Sequence, residues 1–211
     1  MRKLLIFSWL LLPVGAAAYH YGPGQERLRV DEAAEQVTLA REHVREACAV
    51  AEKEGDAAAR GLWAEAERAL SEAIAALPAD NVAELRRLRL ERSKAQMFIS
   101  KLPDARRDLE ALVGELEADA SADPALATDA RDALANAQYY TTWLLRLEGA
   151  APEEWEREVD ASRQNYKLVA ETLVARGDDA GAARAQENLE SSIRLARMDI
   201  KDLQGLPLPS Q

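Results

Sequence analysis

The sequence predicts an all-α protein of about seven helices in stacked antiparallel hairpins. Apolar residues recur at alternating three- and four-residue steps through nearly all of the chain after residue 30. Proline or glycine punctuates the stretches between, and no segment shows the two-residue alternation of a strand.

Residues 1–18 are set apart as an export signal. Met1, Arg2 and Lys3 give a positive start, Leu4 to Val14 is an apolar run, and Gly15 to Ala18 supplies the small residues a signal peptidase accepts. Cleavage after Ala18 is expected. The alternative is an uncleaved tether, although fifteen apolar residues make a helix of only about 22 Å against a hydrocarbon core of roughly 30 Å. Residues 19–30, with two glycines and a proline, read as an extended lead-in.

Within residues 31–204, Val30, Ala33, Val37, Ala40, Val44, Ala47 and Ala51 place a first helix near residues 31–54, stopped by Gly55 and Asp56. Trp63, Ala66, Leu70, Ala73 and Leu77 mark a second, closed by Pro78. Asp80 or Asn81 caps a third, running to about Ser100. Pro103 opens a fourth, with Ala105, Leu109, Leu112 and Leu116 inward. Asp123 followed by Pro124 starts a fifth, ended by Gly149; Pro152 opens a sixth, ended by Gly177. The seventh runs from Ala182 to Leu203, and residues 205–211 form a short tail.

Two helices decide the architecture. The third has Leu85, Leu88, Ala95 and Ile99 on one stripe and Leu90 and Met97 nearly opposite; the fifth adds Tyr140, Trp143 and Leu147 beside its main stripe. Such helices need neighbours on both faces, which a layered stack of hairpins provides.

Gly61 to Pro78 resembles the second half of a tetratricopeptide repeat, with Gly61 at an inter-helix turn, Trp63 after it, Ala66, Leu70 and Ala73 on the packing face and Pro78 closing the unit. Tyr166 to Ser191 is similar to a degenerate copy, with Gly177 at the turn and Gln186 where a bulky apolar residue is usual. Ala105, Leu109 and Leu112 make a third, poorer match. The resemblance implies a TPR-like α-α superhelix whose role is to hold a partner protein.

The formal charge of −10 becomes −12 if Arg2 and Lys3 leave with the signal, so broad binding to nucleic acid is not expected. A single cysteine, Cys48, allows no intrachain disulfide. It lies about 140° around the first helix from His43, so the two share no face; Cys48 reads as a small buried residue, with a thiol nucleophile or intermolecular disulfide as alternatives. Two histidines without clustered partners make a poor metal site. Hydrolase and phosphate-loop patterns are missing, and no cofactor or small-molecule ligand is expected.

Two segments stand out. Residues 84–107 hold eight basic residues against three acidic ones, which makes Arg86, Arg89, Arg92, Lys94 and Lys101 candidates for docking an acidic partner, or else a solvated face paired with acidic neighbours. Arg92, inside an apolar stripe, must snorkel, pair or face a groove. Tyr139, Tyr140 and Trp143, with Trp155 and Tyr166 nearby, are either core or a stacking groove. The expected function is an exported, non-enzymatic scaffold of a bacterial envelope, in the periplasm or outside the cell; an accessory protein or divergent hydrolase acting on cell-wall material and a purely structural protein are the competitors.

Overall fold

The computed structural model describes residues 23–204, and the expected signal segment and tail lie outside the described residues. Among the described residues eight helices follow one another: α1 (Pro23–Glu54), α2 (Asp56–Ala76), α3 (Val82–Met97), α4 (Leu102–Ala118), α5 (Pro124–Glu148), α6 (Pro152–Ala175), α7 (Asp179–Arg197) and the short α8 (Ile200–Gln204). Among the described residues there is no strand, and no helix is long and apolar enough to cross a membrane.

Helix starts obey local chemistry. Proline stands at the first or second position of α4, α5 and α6, where its missing N–H costs nothing. The Asp123 carboxylate accepts the Ala125 N–H at 2.9 Å, and that of Asp178 accepts the Gly181 N–H at 2.8 Å. Gly149 closes α5 in the left-handed region at φ 75°, and Gly55, at φ 88°, separates α1 from α2.

Helices α1 to α7 each pack on their neighbours in sequence, α3 also touches α5, and α5 touches α7 and α8. Helices α3, α5 and α7 thus touch in turn, with α4 packed between α3 and α5 and α6 between α5 and α7 in sequence. The α1–α2 seam is built from small residues: Ala33, Ala40 and Ala47, spaced by seven, and Ala59, Ala66, Ala69 and Ala73 are all almost fully buried. Helix α3 is sandwiched as its two stripes require. Leu88 joins the α1–α2 core around Leu70 and Ala73, Ala95 joins the cluster around Trp63, and Leu90 and Met97 join the main core of α4 and α5 around Leu109 and Leu112.

The interior of α5, α6 and α7 is more polar. Ser162, fully buried, donates to the Ala135 carbonyl at 2.9 Å and lies 3.2 Å from the Ser192 hydroxyl. Asn165 donates to Gln138 at 2.9 Å beside them. These bonds satisfy groups that would otherwise be costly to bury.

Four expectations are corrected. Residues 23–30, assigned to an extended lead-in, belong to α1, because Pro23 suits a helix start and the following Gln, Glu, Arg and Leu favour helix. Gly61 is not at a turn: it sits inside α2 and the turn is at Gly55, whose positive φ glycine tolerates. Cys48 is exposed, since α1 is covered along one narrow stripe only. The seventh helix breaks at Met198, extended at φ −66° and ψ 142°, and restarts as α8.

Candidate functional site

The candidate basic residues of α3 and the following turn are all engaged in ion pairs. Arg86 donates to Asp119 at 2.6 Å, Arg89 to both oxygens of Glu115 at 2.7 and 2.9 Å, and Arg92 to Asp108 at 2.9 Å. Lys94 pairs with Glu91 and Lys101 with Glu67, each at 3.1 Å. A ladder of cations on α3 therefore faces a ladder of carboxylates on α4, and Lys101 ties the start of α4 to α2. Arg106 continues the pattern by donating to Glu158 of α6 at 2.8 Å. Apart from Lys94, whose partner Glu91 lies one turn back on α3 itself, these candidates pair with groups outside α3, and the way Arg92 escapes its apolar stripe is by pairing.

The carboxylates respond accordingly. Asp119 is held down to about 2, chiefly by the Ser121 hydroxyl and then by the Arg86 guanidinium. Glu115 is lowered first by its hydrogen bond from Arg89.

The aromatic residues divide. Tyr166 is 3% exposed in the core, where burial first pushes its phenol upward. Trp155 lies under the Arg146 guanidinium, 4.8 Å from ring centroid to carbon. Tyr139, Tyr140 and Trp143 cluster on one turn of α5, with Tyr139 edge-on to Tyr140 at 5.5 Å and tilted against Trp143 at 6.2 Å.

Tyr140 and Trp143 also form a wall of a cleft of about 590 Å³. It opens where the ends of four helices meet: Asp56 and Arg60 from α2, Met97 and Phe98 from the end of α3, Leu102 and Pro103 from α4, and Leu144 beside the two aromatic residues of α5. Alternating chain direction brings these C- and N-termini to one end of the stack. Phe98 is braced by Trp63, stacked at 4.1 Å and 8° between planes. Ser100, on the rim, holds φ 65°, the one non-glycine residue with positive φ among the described residues. Such backbone persists only where its surroundings impose it, and it gathers at binding sites.

The Tyr140 phenol is pushed up to about 12, mainly by burial and then by Tyr139 and Asp56, so it stays protonated near neutrality. The Trp143 indole N–H is buried and has no hydrogen-bond partner. Apolar walls, a few polar groups and a charged rim suit an apolar group oriented by one or two hydrogen bonds.

Of the candidate aromatic residues, Tyr140 and Trp143 line the cleft while being 9% and 5% exposed members of the core, and half-buried Tyr139 does not line it. The structure places Arg86, Arg89, Arg92, Lys94 and Lys101 in ion pairs. Sequence reasoning missed Asp56, Arg60, Phe98, Ser100 and Leu144. The signal available was Phe98, one of two phenylalanines, directly before a break between helices. No protein-family model, curated protein or solved structure matches this chain.

Proposed function

We propose that the protein is an exported, non-enzymatic scaffold of the cell envelope, a tetratricopeptide-like helical stack that holds a partner protein by inserting one of the partner's apolar side chains into the Tyr140–Trp143 cleft. The observation that carries this reading is the cleft itself, an open, aromatic-walled space of about 590 Å³ in a chain whose basic candidates are already paired. Buried Trp63, Ala66, Leu70 and Ala73 support the repeat-like character, and the placement of Gly61 inside α2 counts against strict repeat geometry. The apolar start and small residues of 1–18 support export. Among the described lining residues Asp56 is the one carboxylate, which favours binding over a paired-carboxylate hydrolysis of cell-wall glycans.

The test is a photo-crosslinking amino acid placed at Leu144, on the cleft wall, or at Val174, exposed at the far end of α6. Expressed in its own host, the Leu144 variant should form a discrete adduct with one envelope protein, and the Val174 variant should not. The adduct should vanish when Trp143 is changed to Ala in the same chain. Equal adducts from both positions, or none from Leu144, would remove the cleft from consideration.

A further inference from the structure

The α8 helix is attached by very little. It has five residues, too few to be stable alone, and of its side chains Leu203 is buried, 1% exposed, while Ile200, Lys201 and Asp202 face outward. Its start is capped by the Asp199 carboxylate, which accepts the Lys201 N–H at 2.9 Å. Leu203 enters a groove formed by Trp143 and Leu147 of α5 and by Leu195 and Met198 at the end of α7. Trp143 is thus shared: it walls the open cleft and also supports the groove that Leu203 fills.

The two walls of the groove are tied to each other independently of α8. Arg146 of α5 donates to the carbonyls of Leu195 and Met198, closing the C-terminus of α7, and is itself stacked on Trp155. These bonds reach as far as the Met198 carbonyl, and beyond it, among the described side chains, Leu203 is the one that is buried. The pinned Met198 carbonyl leaves exposed Asp199 as the joint to this singly anchored turn, and segments with few buried contacts open locally without global unfolding.

We infer that α8 is a releasable C-terminal strap and, resting on the reading that the cleft binds a partner, an autoinhibitory contact in which the protein's own Leu203 occupies an apolar groove that becomes continuous with the cleft, through Trp143, when the strap swings out. The groove is suited to a short helix carrying one leucine, because that is what fills it.

Hydrogen exchange on the full chain tests the strap without any ligand, so its outcome is independent of whether the cleft binds a partner. In the wild type, amides of residues 200–204 should exchange at least about a hundredfold faster than those in the middle of α5, as expected of a locally opening unit. Leu203→Ala should abolish the remaining protection of α8, leave α5, α6 and α7 protected, and raise binding of the apolar dye anilinonaphthalene sulfonate several-fold. Exchange of α8 at the α5 rate would overturn the inference. So would unchanged dye binding in the variant, or loss of protection throughout α5, α6 and α7, which would make Leu203 part of the common core.

Discussion

The Arg89 guanidinium grips both oxygens of Glu115, 26 residues away in sequence, with bonds of 2.7 and 2.9 Å that fasten α3 to α4. Two parallel bonds give this pair a fixed geometry that a lysine could not reproduce. It is still half open to water, so its contribution is modest. A double-mutant cycle of Arg89→Gln and Glu115→Gln should give a coupling of about 0.2–1 kcal/mol by urea denaturation, shrinking as salt rises. A coupling of zero at low salt would mean that the pair is incidental.

Acid sensitivity should concentrate at the end of α4. Asp119 is lowered from 3.8 to about 2 by Ser121 and Arg86, so its folded pKa lies below its unfolded value. The stability it contributes is fully present above the unfolded value and is lost as pH falls through the window between about 4 and 2. Urea midpoints measured across that window should fall more steeply for the wild type than for Asp119→Asn. Parallel curves would show that the carboxylate is not stabilised in the fold.

Ala66 lies at the α1–α2 seam with no exposed surface. Replacement by Leu adds three carbons where the helices already touch, and should cost roughly 1–3 kcal/mol in thermal unfolding. An unchanged melting temperature would mean that the seam can open without loss.

Ser162 is the hub of the polar interior, bonded to the Ala135 carbonyl and next to Ser192. Ser162→Ala should cost about 0.5–1.5 kcal/mol, because Ser192 keeps its own bond to the Asn188 carbonyl. Ser162→Leu should cost more, since nothing at a fully buried position can make room. If both variants unfolded like the wild type, the hydroxyl would not be part of the packing.

What the sequence determined by itself is local. Pro103, Pro124 and Pro152 open helices and Gly149 closes one because fixed φ, capping and positive φ act within a few residues, and the two stripes of α3 forecast its place between two cores because periodicity is read along one helix. The tertiary structure alone decided which charges find partners, since Arg86 meets Asp119 across 33 residues and nothing near Arg86 announces it. It also decided that Cys48 faces water, because α1 has a partner on one side only, and that α7 stops at Met198, where Arg146 from α5 takes its last carbonyls. The cleft belongs to the same class: its walls come from four helix ends separated by as much as 88 positions, from Asp56 to Leu144, and a space between elements has no signature in any one of them.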